Sequence, residues 1–534
     1  MDLNLLPLKS EKKRKIIVLS SCNFQFRYEL CLLLLHQTTN IINYRMEERQ
    51  IAKTNCIFEI QTDVQKFGLC DWRLEKMNYK TLALFLLGLV FLMPYGGAQA
   101  IELRQTTEIK IGGLFPLTGT LAGGGVERRA AAQMAVDIIN ENDSLLNGYT
   151  LNLLVRDTQT KPDVGKTVAQ DVINEGAVGI VGAASSAVSK AVAGVAEQSK
   201  VPQISYSSTN PDLSNKTLYP YFLRVVPPDS VQGVAIAKII KEMGFTQIAT
   251  LATSDDYGLG GITVVEETAR EEGIEILSSQ RFDQGAVDVK SQLQAIKDSG
   301  AHVIVLNAIV GDAKTVFSQA DDVGLVGEDY VWIGTDGPTQ EAVFENDDGT
   351  VDTEIKDAMQ GMIGTAPNRG SGPGYEKFLD IWESCNGKTS DDYTGCGDRT
   401  PNTFATFAYD AVYAFAYALD RMIKAGKDYT DGDLLLAELK KSDFVGATGR
   451  VTFNEFGDRN ALYDILNLQG DSFKVVGSWS ETDGMSITGT ITWPGGGTET
   501  PSFAKVGSAP GFGFYLVLFS LASFATIVHY RRRR

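Results

Sequence analysis

A repeating alternation of short apolar runs and longer amphipathic segments constrains the fold of this chain more than any other feature. The apolar runs are rich in Val, Ile and Leu: IKIGGLFP, LNLLVRD, VGIVGA, PQISY, QIATLAT, HVIVLNA and YVWIGTD. Between them, segments such as ERRAAAQMAVDIINEN and VVEETAREEG repeat apolar residues at spacings of three and four. This order predicts an α/β fold with parallel sheets covered by helices. The pattern continues to about residue 480, too long for one sheet, and therefore predicts two doubly wound lobes.

Charge and motif content exclude several classes of function. The 534 residues carry a net charge of −17, although residues 1–76 and the final RRRR are net basic, so the acidic excess lies on residues 101–530. An acidic body argues against nucleic acid as a partner. The three histidines are far apart, and the glycine-rich LAGGGVERR lacks the Lys-Ser/Thr of a phosphate loop. We therefore expect no catalytic site, no metal site and no cofactor.

The N-terminal region carries a pattern typical of export. Residues 77–100 contain a lysine, an apolar run and Ala98-Gln99-Ala100, which is the layout of a cleaved signal peptide. We interpret residues 1–76, which precede it, as a mis-assigned extension, with translation starting at Met77. The alternative is a true cytoplasmic extension followed by a transmembrane anchor. Residues 481–508 are rich in Gly, Thr and Pro and predict a linker.

Residues 509–534 predict attachment to a membrane. They contain roughly 20 apolar or weakly polar residues, long enough to span a bilayer, followed by four arginines that favour the cytoplasmic side. The tripeptide Pro510-Gly511-Phe512, the apolar stretch and the basic end resemble the PGF-type C-terminal sorting tails of archaeal surface proteins. That resemblance implies removal of the tail and attachment to a lipid, and the alternative is a plain transmembrane anchor. Either interpretation places the body on the extracellular face of the cell membrane.

Two cysteines enclose a short polar loop. Cys385 and Cys396 bound the sequence CNGKTSDDYTGC, well separated from the four cysteines before residue 77. In an oxidising compartment this pattern predicts a surface disulfide. The alternative is two unpaired surface thiols.

Hydroxyl side chains follow two of the strand-like runs. Ser185 and Ser186 lie between VGIVGA and the next helical segment, and Ser207 and Thr209 close PQISYSST. Open α/β sheets bind ligands beyond the carboxyl ends of their strands, and the free N–H groups of a helix start favour an anion. The alternatives are a helix cap at Ser186 and an ordinary turn at SSTNPD. The spacing alone leaves both interpretations open.

Longer motifs surround these hydroxyls. VGIVGAASSAVSKAV, VPQISYSSTNPDLSNKTLYPYFLRVVPPDS and TSDDYG resemble the amino-terminal domains of metabotropic glutamate and other class C receptors. They also resemble the leucine/isoleucine/valine-binding proteins of the type I periplasmic binding protein family, which share that fold. The similarity runs from about residue 110 to residue 469 and ends in GRVTFNEFGDRNALYDILNLQ. It implies a clamshell that traps a free amino acid without catalysis.

The resemblance implies a division of the chain into two lobes joined by a three-strand hinge. Lobe 1 would comprise residues 101–226 and 363–449, and lobe 2 residues 227–362 and 450–480. The three hinge crossings are expected near residues 225–229, 360–365 and 448–452.

The resemblance also implies roles for individual side chains at the ligand backbone. Ser186, Ser207 and Thr209 match residues that hold the α-carboxylate of the ligand. Asp229 and Asp336 match acidic residues that receive its α-ammonium. The chemistry agrees, because each charge of an enclosed zwitterion needs an opposing charge or dipole.

The selectivity of the cleft is less constrained. Tyr257 matches an aromatic residue that covers the ligand from the second lobe. Arg128 falls where glutamate receptors carry an arginine for the distal carboxylate, but a lysine serving the same end is replaced near Phe404. An acidic, polar or aliphatic ligand side chain therefore stays open, and Arg128 would alternatively be a solvent-facing helix residue. Two acidic residues would also suit a polyamine if the carboxylate site were inactive.

Together these features predict an extracytoplasmic solute-binding protein that captures an amino acid, branched-chain or related, for an ABC importer. The expected partners are a free amino acid, an ABC permease and the membrane. The alternative is a sensor that reports ligand occupancy to a membrane signalling partner. An enzyme acting on amino acids is the third hypothesis, and intact bound ligand would exclude it.

Overall fold

The computed structural model describes residues 107–501 and residue 503, apart from residues 143, 147, 347–348, 386–389, 398–399 and 461. The described residues belong to one compact unit of the chain. The predicted N-terminal extension, signal peptide and C-terminal tail lie outside the described residues. No helix within the described part is long and apolar enough to cross a bilayer.

The described residues form fifteen strands and eleven α-helices. The strands are β1 (Thr107–Phe115), β2 (Tyr149–Asp157), β3 (Ile180–Val181), β4 (Gln203–Ser205), β5 (Phe222–Arg224), β6 (Gln247–Thr253), β7 (Glu275–Phe282), β8 (Val303–Asn307), β9 (Val331–Gly334), β10 (Ile363–Pro367), β11 (Asp443–Gly446), β12 (Gly449–Thr452), β13 (Tyr463–Gln469), β14 (Ser472–Ser480) and β15 (Gly484–Ile487). The helices are α1 (Ala122–Glu141), α2 (Pro162–Asn174), α3 (Ser186–Ser199), α4 (Asp229–Glu242), α5 (Asp256–Glu271), α6 (Lys290–Asp298), α7 (Val310–Val323), α8 (Thr353–Ala358), α9 (Pro373–Ser384), α10 (Thr403–Lys424) and α11 (Gly432–Leu439).

The first sheet contains five parallel strands in the order β2-β1-β3-β4-β5. Side chains of β1 alternate between its two faces, as the period of a strand requires. Ile109, Ile111 and Phe115 pack with α1 and α10, whereas Leu114 packs with α2 and α3 on the other face. Helices on both faces of a parallel sheet confirm the predicted doubly wound lobe, which we call lobe 1.

The second sheet has eight strands in the order β15-β14-β13-β10-β9-β8-β6-β7, and it forms lobe 2. The strands from β10 to β7 are parallel, whereas β13, β14 and β15 join as an antiparallel ribbon. α4 and α5 cover one face, and α6, α7 and α8 cover the other. The ribbon is antiparallel because short connections cannot return a chain to parallel pairing.

The chain passes between the sheets three times: after β5, after β10 and after β12. The first passage coincides with the predicted crossing at 225–229. β10 was assigned to lobe 1 by the predicted boundary at residue 363, but it pairs with β9 and β13 of the second sheet. β12 pairs with β11, and Val451 packs into the core of lobe 1. The second and third passages therefore follow Pro367 and Thr452, so the lobe boundaries predicted at residues 363 and 449 fall a few residues too early.

The predicted linker at 481–508 is partly wrong. β15 extends the second sheet, and the following segment, residues 488–501 and 503, forms a C-terminal strap against lobe 2. Trp493 is buried in this strap, with its ring 5.8 Å from that of Phe245. Phe503 stacks on His302 at 5.1 Å. The Gly/Thr/Pro composition did not indicate these aromatic contacts. The burial of Trp493 and the stacking of Phe503 favour an ordered path over a free linker.

Cys385 and Cys396 form the predicted disulfide, with their Cα atoms 5.9 Å apart. The sulfur atoms are buried, not at the surface as predicted. They lie 3.6 and 3.5 Å from the sulfur of Met134 on α1. The disulfide therefore packs into the core of lobe 1.

Candidate ligand-binding site

A cavity of about 30 Å³ lies between the two lobes, where the carboxyl ends of their parallel strands face each other. That volume has room for a water molecule or two. Its lining comprises Leu121, Arg128, Ala184, Ser185, Ser186, Ser207, Tyr257, Ile309, Val310, Asp336, Gly337, Gln340 and Phe404. Five of the seven predicted ligand-binding residues are therefore brought together. The other two, Thr209 and Asp229, are linked to each other beside it.

The amino-terminal end of α3 forms one wall of the cavity. Ser186 is its first residue, and the hydroxyl of Ser186 accepts a hydrogen bond from the N–H of Asn210 at 3.2 Å. Ser185 occupies the N-cap position but makes no side-chain capping bond. The helix start thus keeps N–H groups without a side-chain cap, beside two hydroxyls, and favours an anion.

Hydroxyls 205–209 divide into structural and cavity-facing groups. Ser205 and Tyr206 donate to the carbonyls of Ala183 and Leu114, at 2.7 and 2.9 Å. Ser208 donates to the hydroxyl of Ser189 at 2.7 Å. Ser207 lines the cavity, and the buried hydroxyl of Thr209 has no hydrogen-bond partner among the described residues. Ser205, Tyr206 and Ser208 therefore hold the backbone in place, whereas the hydroxyls of Ser207 and Thr209 are left for a ligand.

Asp229 is a buried carboxylate without a hydrogen-bond partner for either oxygen among the described residues. Its backbone N–H donates to the carbonyl of Thr209 at 2.8 Å, which fixes the start of α4 against lobe 1. Burial raises the pKa of Asp229 well above its usual range, and the charge of Asp336 raises it further. The Thr209 hydroxyl opposes that rise without meeting hydrogen-bond geometry.

Asp336 follows β9 and accepts a hydrogen bond from the hydroxyl of Tyr257 at 2.9 Å. Burial raises its pKa to about 6, against smaller opposing effects of Tyr257, Gln232 and Arg128. Asp229 and Asp336 are thus both buried and lie close enough for their charges to repel each other. The hydrogen bonds and charges around them only partly offset the effect of burial on their pKa values. A cation placed between them would allow both to ionise.

The hydroxyl of Tyr257 forms its hydrogen bonds within lobe 2, while its ring packs against the core of lobe 1. Besides Asp336, its hydroxyl contacts the hydroxyl of Thr335 at 3.0 Å and accepts from the N–H of Gly337 at 3.1 Å. These bonds fix the ring on the lobe 2 side of the cavity. The covering role of Tyr257 over a ligand stays a prediction.

Arg128 does not face solvent, so that alternative is wrong. Its side chain is buried at the far end of the cavity, with the guanidinium 5.0 Å from the centre of the Phe404 ring. One terminal nitrogen donates to the side chain of Asn402 at 3.5 Å, while Nε and Nη1 have no partner among the described residues. Burial lowers the pKa of Arg128 from its usual value.

Sequence reasoning missed two residues that connect the lobes at this end. Gln340 lines the cavity, and its amide donates to the backbone carbonyl of Asp336 at 2.9 Å. Its side-chain oxygen accepts from Asn402 of lobe 1 at 2.8 Å. Asn402 caps α10 through the N–H of Phe404. Gln340 and Asn402 are 62 positions apart in the sequence, so no local pattern indicated their contact.

Two α/β lobes with polar groups at facing strand ends define a clamshell of the ligand-binding class. Residues 127–471 match the family described as the receptor family ligand binding region, and the chain belongs to that family. The chain is 28% identical over 506 residues to metabotropic glutamate receptor 4 of Mus musculus, covering 78% of this chain and 54% of the receptor. It is 27% identical over 406 residues to glutamate receptor 3.1 of Oryza sativa, covering 71% of this chain and 42% of the receptor. The chain spans about half the length of these curated relatives.

Two solved structures confirm the predicted fold. The leucine binding protein LivK of Thermotoga maritima superposes with a TM-score of 0.61 at 23% identity, covering 70% of this chain and 99% of LivK. The branched-chain amino acid transporter substrate binding protein LivJ of Streptococcus pneumoniae, solved with isoleucine, gives a TM-score of 0.59 at 22% identity. That match covers 72% of this chain and all of LivJ. The relatives are named as receptors and binding proteins.

Proposed function

We propose that this protein captures a free amino acid between its lobes and delivers it to an ABC importer at the outer face of the membrane. The observation that carries the proposal is the pairing of opposite polar groups at one cleft. The start of α3 offers N–H groups and hydroxyls, while Asp229 keeps both carboxylate oxygens without a partner among the described residues. An α-amino acid carries the two complementary charges on groups attached to the same carbon atom.

In the proposed mechanism the α-carboxylate binds Ser186, Ser207 and Thr209. The α-ammonium then lies between Asp229 and Asp336 and allows both carboxyls to ionise. Buried charge-assisted hydrogen bonds of this kind contribute roughly 1.5–3 kcal/mol each.

Closure accompanies binding. A cavity of about 30 Å³ is too small to admit an amino acid while the lobes are in contact. We therefore propose rotation at the three hinge passages, with the ligand meeting the lobe 1 hydroxyls first. Tyr257 and Asp336 then cover it from lobe 2, and a permease recognises the closed form.

Arg128 favours a ligand whose side chain ends in a hydrogen-bond acceptor. Two guanidinium nitrogens are buried without a partner among the described residues, which is costly unless a ligand satisfies them. A carboxylate suits a guanidinium best, so we place L-glutamate first among candidates. Arg128→Lys and Arg128→Ala should weaken glutamate binding more than isoleucine binding, and equal effects on both ligands would refute this assignment.

Isothermal titration calorimetry of the purified protein against the twenty amino acids tests the proposal. We expect heat from one or a few of them, and no heat from the double variant Thr209→Val, Asp336→Asn. A structural control is Ser208→Ala, because Ser208 bonds Ser189 away from the cavity. Absence of heat with every amino acid would refute the proposal.

Sensing is the second candidate, since the curated relatives are named as receptors. Uptake of labelled ligand by cells lacking the protein separates the two functions. Lost uptake supports transport, whereas normal uptake with a lost response to the ligand supports sensing. Membrane attachment through residues 509–534 is part of both proposals, and mass spectrometry of the mature N- and C-terminal peptides tests it.

A further inference from the structure

An ion pair crosses the cleft outside the cavity. Lys190 lies one turn after Ser186 on α3 of lobe 1, and its ammonium is 2.6 Å from the carboxylate of Asp256. Asp256 is the first residue of α5 in lobe 2 and immediately precedes Tyr257. On α3, Ser186 faces the cavity and Lys190, one turn later, forms the ion pair. On α5, Tyr257 faces the cavity and Asp256, the residue before it, forms the ion pair. The Lys190 side chain is only 15% exposed, and that of Asp256 is 40% exposed.

Lys190 also has a partner on its own side of the cleft. Asp212, in the lobe 1 turn after β4, lies 2.8 Å from the same ammonium and is 69% exposed. Burial lowers the pKa of Lys190, but hydrogen bonds to its two carboxylate neighbours outweigh burial and raise that pKa above its usual value, so the ammonium keeps its charge at neutral pH. Asp212 holds the ammonium near the seam, which reduces the entropy lost when Asp256 arrives.

The seam around this pair is tight. The side-chain amide of Asn210 in lobe 1 donates to the backbone carbonyl of Asp256. A Cβ atom added at Gly260 would lie 2.3 Å from that amide nitrogen, so the two lobes touch here without intervening water. Partial exclusion of water strengthens an ion pair relative to one at a fully exposed surface.

We propose that Lys190 and Asp256 form a latch that holds the lobes closed and thereby sets ligand affinity. The proposal rests on the ligand capture described above, but the latch itself requires no ligand. Because the pair exists only when the lobes meet, it raises the population of the closed form. Apparent affinity rises with that population.

Asp256→Asn is the primary variant, and Asp212→Asn is its matched control, since each removes one carboxylate from the same ammonium. At low ionic strength we expect Asp256→Asn to raise the Kd for L-glutamate about two- to fivefold, in the range of partly exposed ion pairs. In about 1 M salt, where charges are screened within about 3 Å, the difference should become smaller, although the partial burial of the pair protects it from complete screening. Asp212→Asn should change the Kd by less than the primary variant, and adding Lys190→Gln to Asp256→Asn should cost nothing more.

Hydrogen–deuterium exchange of the full chain without ligand provides an independent readout. Peptides spanning 334–340, where the N–H of Gly337 donates to the hydroxyl of Tyr257, should exchange faster in Asp256→Asn than in the parent. The control is Asp322→Asn, which loses an exposed ion pair with Lys290 within lobe 2 and should leave the exchange of these peptides unchanged. If L-glutamate gives no heat with the parent protein, the exchange measurement alone tests the latch. Faster exchange in Asp256→Asn would then support the latch, although L-glutamate would be refuted as the ligand. The latch would be refuted if Asp256→Asn kept the exchange rates and the affinity of the parent. It would also be refuted if Asp212→Asn changed them as much as Asp256→Asn does.

Discussion

Ligand affinity should fall as the solution becomes acidic, because binding requires two buried carboxyl groups to release protons. Burial raises the pKa of Asp336 to about 6 in the ligand-free cleft and raises that of Asp229 well above its usual range. The α-ammonium of a ligand lowers both pKa values by charge attraction. Protonation therefore competes with the ligand at pH values below the raised pKa of each group.

The size of the effect follows from the pKa of Asp336. For a group of pKa about 6 that must be ionised, the Kd increases roughly tenfold between pH 7 and pH 5, and Asp229 adds to this. Calorimetry at pH 5, 6, 7 and 8 measures it, and buffers of different ionisation heat count the protons released. Asp336→Asn should bind weakly but with a shallower pH dependence. A Kd constant within twofold over this range would refute the charge arrangement that we propose.

Two further predictions concern stability. The pKa of Asp336 is higher in the folded protein than in the unfolded chain, so its contribution to stability is present at low pH and is lost as pH rises from about 4 through about 6. Asp336→Asn should therefore raise the unfolding free energy of the ligand-free protein at pH 7 by up to about 3 kcal/mol while weakening binding, and lower stability in denaturant titrations would contradict this. Trp493→Ala should lower the unfolding free energy by about 3–5 kcal/mol, because it leaves a cavity against Phe245. Thr498→Ala, at an exposed position of the same strap, should leave the unfolding free energy unchanged. An equal loss of stability in both variants would count against a packed strap.

The strands and helices of the central region were predictable because their apolar periodicity is local. The runs that became β1, β6 and β8 are buried along most of their length, as their Val, Ile and Leu content indicates. The antiparallel ribbon was not predicted, because β13 and β14 pair through a hairpin whose place in the sheet depends on β10, about a hundred residues earlier. Trp493 was hidden for a similar reason, since its partner Phe245 is distant in sequence.

The site was predictable where it follows strand ends and less so where the lobes meet. Ser186, Ser207 and Asp336 lie directly after strands or at a helix start, so their convergence follows from sheet topology. Whether Arg128 faces solvent or the cavity depends on the packing of α1 against α10, which periodicity alone did not determine. Gln340 and Asn402 form a contact across the cleft that exists only once both lobes are in place.

The central claim is that one ligand satisfies an anion site and a cation site together. Titration with the best-binding amino acid, its N-acetyl derivative and its decarboxylated amine tests this most directly, since each analogue lacks one backbone charge. We predict that each analogue binds at least about a hundredfold more weakly than the parent amino acid, as expected when a buried charged group loses its partner. Binding of the amine as tight as that of the amino acid would contradict the claim and leave a cation site alone.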